Sequence, residues 1–301
     1  MLEQRIVKRL IQFIGPLMIL SFHPCLGGDA QIILGSRPLG APEKELIGKA
    51  SAILLPQGCP RGLFEACAAS GVPVFPDYSL RFRYPGKCGQ AELFARYNCP
   101  HPRTSLWSST EDFKHARDCG HQPHAFPFLI KQDGHHEAEG IFLIRNEREL
   151  SDTLQHVGQC EESGSSGFVS QELIDAEGNV LRVVLIGETK VSYWKRPAVP
   201  NQIITTIARG AVVDHSWNQN LQRKAVAAVS GFARSAPLDL AAIDIVFNLS
   251  EVDPEPLFLE INYFFGRRGL GGGERFYRIL HREVRNWVEK IGLDPSGICL
   301  Y

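Results

Sequence analysis

The chain has 301 residues, with 32 Lys and Arg against 33 Asp and Glu, a formal net charge of -1, 44% hydrophobic residues and 22% charged ones. That balance excludes disordered tails and fibrous chains, and the length allows an ordinary buried core and roughly two domains of about 150 residues each. A near-neutral chain has no field to hold nucleic acid by counterion release, so small molecules are the expected partners.

At the amino end, Arg5, Lys8 and Arg9 precede an apolar run from Leu10 to Phe22. The arrangement resembles the charged and hydrophobic regions of a secretory signal. Against this, Phe22-His23-Pro24-Cys25 is a poor cleavage site, and Leu17 to Phe22 reads equally as a first strand buried on both faces. Gly15-Pro16 interrupts the only run that approaches membrane-spanning length, so no membrane association is expected. The eight cysteines form no CxxC pair, which reads as a reduced, cytoplasmic chain. Strands are expected at Leu17 to Ser21, Gln31 to Leu34, Ala52 to Leu55 and Val72 to Phe75, with a helix from Leu63 to Ser70 stopped by Gly71. This alternation predicts a small parallel sheet. A second helix, Lys87 to Tyr97, follows the Tyr84-Pro85-Gly86 turn and is broken by Cys99-Pro100-His101-Pro102, which opens a Pro-rich linker.

From Phe126 the pattern becomes strands joined by turns: Phe128 to Lys131, Gly140 to Arg145, Phe168 to Ile174, Val180 to Ile186 and Lys190 to Lys195, the last two turning at Gly187-Glu188. Helices are expected at Arg148 to Val157, Leu221 to Ala233 and Glu274 to Ile291, and strands at Ala241 to Asn248 and Leu257 to Asn262. The second half therefore reads as antiparallel α+β. Six of the ten histidines, His101, His115, His121, His124, His135 and His136, fall within one stretch, 99–136, that also holds Cys99 and Cys119. His115 and Cys119 are one helical turn apart, but the set follows no familiar zinc spacing.

Chemistry concentrates near the carboxyl end. Side chains at i and i+2 of a strand share a face, so Glu260 and Asn262 point the same way while Leu259 and Ile261 are expected in the core. If Asp244 lies opposite Glu260 in a hairpin, the turn centres on Val252, within the turn-forming stretch Ser250 to Pro256. The resulting all-oxygen set suits magnesium shared with nucleotide phosphates. Taken singly, each residue also fits a plain solvent-facing position on a half-buried sheet.

Five short segments stand in a telling order: Phe128-Leu129-Ile130-Lys131, Val169-Ser170-Gln171-Glu172-Leu173-Ile174, Leu181-Arg182-Val183-Val184-Leu185-Ile186-Gly187, Ile243-Asp244-Ile245 and Leu259-Glu260-Ile261-Asn262. Together they resemble the ATP-grasp superfamily, and within it the glutathione-synthetase and RimK-type (ribosomal S6 modification) ligases, over roughly Pro85 to Gly273. The resemblance implies a small parallel-sheet α/β domain over 1–84, then a two-lobed ATP-grasp domain with antiparallel sheets over 85–301, its lobes dividing at about 170. It implies ATP as cosubstrate and Mg2+ or Mn2+ on Asp244, Glu260 and Asn262. Lys131 and Lys87 would contact the nucleotide phosphates, though a lysine at position 87 is also an ordinary surface residue. Gln171, Glu172 and Leu173 would read the adenine edge. Arg182, Arg196 and Arg209 would face phosphate or a substrate carboxylate, as would Arg267 in the glycine-rich loop after Asn262; solvated arginines in a connecting loop are the alternative there. The chain departs from the family at two places. Its flap, Asp133 to Gly140, has only two glycines, and Val180 stands where an acid for the ribose is expected, with Asp175 or Glu177 as substitutes.

These features imply an ATP-dependent C–N ligase that joins a small-molecule or peptide carboxylate to an amine through an acyl phosphate. A nucleotide-binding sensor or accessory protein without turnover, and an ATP-grasp kinase, are the alternatives. A homo-oligomer is compatible with the sequence.

Overall fold

A computed structural model describes residues 17–133, 140–162, 167–199, 202 and 210–301. The chain packs into two compact units, the first built from residues 17–78, 186–189 and 270–301 and the second from 79–185 and 190–269. Residues 270–301 pack with the first unit.

In the first unit, strands β1 (Ile19–Ser21) and β4 (Ala52–Leu54) are buried throughout, as expected of strands covered on both faces. With β3 (Ala30–Gln31) and β5 (Val74–Phe75) they form a four-stranded parallel sheet in the order β3-β1-β4-β5. The helices α1 (Ala41–Lys49) and α2 (Arg61–Ala68) connect its strands. Gly71, with φ +75°, lets the chain turn from α2 back into β5. A two-stranded ribbon joins β2 (Leu26–Gly27) to β15 (Cys299–Leu300). Helix α8 (Gly273–Lys290) supplies Glu283, which is 4% exposed and takes the Glu188 amide at 3.0 Å and the Thr189 hydroxyl at 2.8 Å.

The second unit holds the two expected antiparallel sheets. One has the order β6-β9-β7-β8, from β6 (Thr104–Trp107), β7 (Phe128–Gln132), β8 (Ile141–Ile144) and β9 (Phe168–Glu172). Residues expected as a linker supply β6 and also helix α5 (Thr110–Asp118). The Ser109 hydroxyl caps α5 by accepting from the Asp112 amide at 3.1 Å, and Phe113 enters a core with Phe128, Ile130, Ile144 and Phe168. That core also takes Leu150, Leu154 and Val157 from helix α6 (Glu147–Glu162). The other sheet has the order β12-β11-β10-β13-β14, from β10 (Val180–Ile186), β11 (Thr189–Arg196), β12 (Val212–Asp214), β13 (Leu240–Val246) and β14 (Leu257–Asn262). Helix α7 (Gln219–Ser235) buries Leu221, Ala225, Val229 and Phe232.

Within this unit a short helix, α3 (Ser79–Arg83), precedes α4 (Gly86–Arg96), which packs against both β9 and β14. One helix therefore touches both sheets. Among the described residues no helix is long and apolar enough to cross a membrane.

Candidate functional site

The amino end of α4 is fixed by Asp133, the residue that follows β7. Its carboxylate accepts from the backbone amides of Lys87 and Cys88, the latter at 3.2 Å. These are orphan amides of a first helical turn, where an anion is favoured. Gly86 has φ +68°, and a Cβ there would come within 2.6 Å of the Asp133 carboxyl, so only glycine fits. Burial and then Asp133 push the Cys88 thiol up to about 12, so it stays protonated and is no nucleophile.

One turn along α4, the Gln90 side chain acts as a strand partner for β14, the edge of its sheet. Its amide donates to the Ile261 carbonyl at 3.0 Å and accepts from the Ile261 amide at 2.8 Å. The neighbours of Ile261 are Glu260 and Asn262. The helix that carries Lys87 thus holds the strand that carries two of the expected metal ligands.

Between these elements lies a cleft walled by Ala91, Phe94, Ile141, Val169 and Leu259, with Lys87, Gln90, His101, Thr104, Lys131, Gln171 and Glu260 as its polar lining. Lys131 points inward from β7, is 7% exposed and donates to Gln171 Oε1 at 2.6 Å. Gln171 in turn donates to the Thr104 hydroxyl at 2.8 Å, which donates to the Pro102 carbonyl at 2.7 Å. Burial pushes the Lys131 ammonium down to about 8, against the pull of Glu260 and with that of Lys87. Glu260 is half-buried.

The hairpin register is Ala242 to Asn262, Ile243 to Ile261 and Asp244 to Glu260, as the sequence spacing predicts. Beyond Asp244 it slips, so that Ile245 faces Phe258. Leu259 is the extra, unpaired residue; half-buried, it packs against the core cluster of Ala176, Val180 and Val246, as expected, and also lines the cleft beside Glu260. The bulge interrupts the strict alternation of faces at this point of the strand.

Asp244 is 3% exposed and is held by two cations. Arg182 grips it with a two-pronged fork, Nε to Oδ1 at 2.7 Å and Nη2 to Oδ2 at 2.8 Å, and Lys195 Nζ donates to Oδ2 at 2.8 Å. Burial alone would raise the Asp244 carboxyl, but Arg182 and Lys195 outweigh it and hold the group well below the usual carboxylate range. The set Asp244, Glu260 and Asn262 therefore fits a divalent cation only in part. Glu260 and Asn262 offer oxygens beside the cleft, whereas both Asp244 oxygens are already bound by positive groups. Among the described residues no three His, Cys, Asp or Glu side chains gather as a metal site; His115 Nε2 and Cys119 Sγ stand 3.9 Å apart on α5 and its cap.

The remaining expected site residues are scattered. Glu172 accepts from the Arg103 amide at 2.6 Å and Leu173 is half-buried after β9; neither lines the cleft. Arg196 follows Lys195 and so projects to the other face of β11, where it pairs with Asp214 at 3.1 Å and stacks 4.6 Å over the Trp217 ring. Arg267 is half-buried and Arg268 exposed in the loop after β14. Arg209, and the flap residues 134–139, lie outside the described residues. Asp175 is engaged elsewhere, accepting from the Ser250 hydroxyl at 2.6 Å. The sequence reading missed Lys195, Gln90 and Asp133. Lys195 was signalled by a charge inside the apolar strand Tyr193-Trp194-Lys195; Gln90 and Asp133 carried no local signal.

Residues 86–272, more than half of the chain, match the RimK-like ATP-grasp domain family. The chain belongs to that family. Solved structures share the fold of this RimK-like chain at low identity. The RimK-domain ATP-grasp protein of Sphaerobacter thermophilus DSM 20745 matches with a TM-score of 0.55 and 14% identity over 77% of this chain and 80% of that one. D-alanine–D-alanine ligase from Bacillus anthracis matches at 0.57 and 13% over 87% of each chain. N5-carboxyaminoimidazole synthetase from Staphylococcus aureus, complexed with ADP, matches at 0.57 and 14% over 88% of this chain and 68% of that one. No curated protein matches the chain in sequence at a significant level.

Proposed function

We propose that the protein is an ATP- and magnesium- or manganese-dependent carboxylate–amine ligase that forms an amide or peptide bond through an acyl phosphate. The observation that carries this reading is the cleft in which Lys87 and Lys131 face Glu260, inside a RimK-like ATP-grasp domain. The shared fold of the B. anthracis D-alanine–D-alanine ligase and the ADP-bound S. aureus synthetase supports it. On this reading residues 85–301 form the ligase domain and 1–84 the domain that precedes it.

The apolar walls of the cleft take the base, and Lys131 and Lys87 neutralise the phosphates as charge moves toward the leaving diphosphate. A substrate carboxylate oxygen attacks the γ-phosphorus, the bridging bond to ADP breaks, and an acyl phosphate forms. The amine then attacks the acyl carbon, inorganic phosphate leaves and the nitrogen loses a proton to solvent. Glu260 and Asn262 would hold the divalent cation, whose charge offsets that of the phosphates. Arg209 and Arg267 are proposed to receive the substrate carboxylate, a planar anion suited to a guanidinium fork.

The test is ADP release with magnesium, a pool of amino acids and small peptides, and hydroxylamine to trap the acyl phosphate as a hydroxamate. Glu260→Ala should lower hydroxamate formation by about 100-fold or more while leaving the melting temperature close to wild type. Near wild-type turnover in Glu260→Ala would refute its role. ATP binding with no ADP release would favour a nucleotide sensor, and a phosphorylated hydroxyl product would indicate a kinase.

A further inference from the structure

We propose that Asp244 binds no divalent cation: Arg182 and Lys195 occupy its oxygens, and a cation arriving with nucleotide is held by Glu260 and Asn262 without it. The inference rests on the nucleotide reading above and concerns how that site carries its charge.

Three observations support it. A carboxylate has about four acceptor positions, and three on Asp244 are filled by cationic donors at 2.7, 2.8 and 2.8 Å. A divalent ion bonded to the same oxygens would sit within a few ångströms of both positive groups, at a buried point where charge repulsion is poorly screened. Nor can the cations step aside easily, since the side chains of Arg182 and Lys195 are only 13% and 6% exposed and would be left buried without an anion. Asn262 also turns its Nδ2, a donor and not a metal ligand, toward Asp244 Oδ2 at 3.5 Å. Glu260, one position opposite on the neighbouring strand, has none of these partners.

The two cations are therefore a built-in replacement for metal charge on Asp244. Among the described residues, Arg182, Lys195, Lys87 and Lys131 stand against Asp244, Glu260 and, at the amino end of α4, Asp133.

The test uses the full chain, Mn2+ followed by electron paramagnetic resonance, and a non-hydrolysable ATP analogue whose own binding is measured separately by calorimetry. Glu260→Gln should weaken nucleotide-dependent Mn2+ binding by about tenfold or more, and Asp244→Asn should change it by less than about threefold. An equal loss in both variants overturns the inference. Should Asp244→Asn fail to fold, the double variant Arg182→Met with Lys195→Met decides the matter: it removes the cations from both Asp244 oxygens and should bind one more Mn2+ per chain than wild type, and an unchanged count overturns the inference. If the analogue does not bind wild type at all, the nucleotide reading itself falls; if it binds and Asp244→Asn loses a Mn2+, only the present inference does.

Discussion

Lys131 combines two properties that conflict. Its charge belongs where phosphate is proposed to sit, yet burial lowers its ammonium from 10.5 to about 8, and among the described residues its hydrogen-bond partner is an uncharged amide. Between those two pH values the unfolded chain holds more protons than the folded one, so this residue makes stability rise with pH through the window, and its full cost is present below about 8. Lys131→Met should accordingly raise stability at neutral pH by on the order of 1 to 3 kcal/mol while abolishing tight nucleotide binding. Thermal melting and calorimetric titration of the same variant check both halves; a lower melting temperature would refute the first. In wild type, nucleotide affinity should fall as pH rises through about 8, where the ammonium loses its proton, and titrations on either side of that pH read it directly.

At the scale of elements, β14 is an edge strand, and its inner partner alone does not satisfy it. Gln90 supplies the missing donor and acceptor for Ile261 from a helix 171 residues away in sequence. Gln90→Leu leaves that amide and carbonyl without protein partners, which should cost about 1 to 3 kcal/mol and loosen Glu260 and Asn262 together. Melting and Mn2+ titration should therefore both report a loss, whereas an unchanged Mn2+ affinity would show that the edge holds its geometry without the helix. Gly269 illustrates a second close approach: a Cβ there would lie 2.1 Å from the Tyr193 ring, so the chain after β14 can cross that ring only as glycine. The slipped register at Leu259 belongs to this scale too, since the one extra residue both packs against the core of Ala176, Val180 and Val246 and walls the cleft beside the carboxylate.

For the whole molecule, a net charge of -1 hides a local excess of positive charge around the cleft. Opposite charges elsewhere balance it without screening it at close range. Nucleotide triphosphate affinity should then weaken severalfold as salt rises from about 0.05 M to 0.5 M, and weaken more for ATP than for ADP. Calorimetric titrations at several salt concentrations check this; affinities that do not move with salt would mean that the lysines do not meet the phosphates. The division into two units also has a chain-level cause. Glu283 on the last helix binds the turn between β10 and β11, so residues distant in sequence complete the first unit.

Some of this was legible in the sequence because the interactions that decide it are local or strictly periodic. The strands of the second unit, the stop at Gly71 and the pairing of Asp244 with Glu260 follow from period-two patterning and from the constant sum of positions across an antiparallel hairpin. The ordered run of short segments was enough to indicate the RimK-like family over nearly the same residues that match it. Tertiary structure alone decided what the charged groups touch. Arg182 meets Asp244 across 62 residues and Lys195 meets it across 49, and only the order of strands in the sheet makes them neighbours. A bulge, a helix side chain bound to a sheet edge and a buried carboxylate shared by two cations leave almost no mark in the sequence, because each depends on where distant backbone segments come to rest.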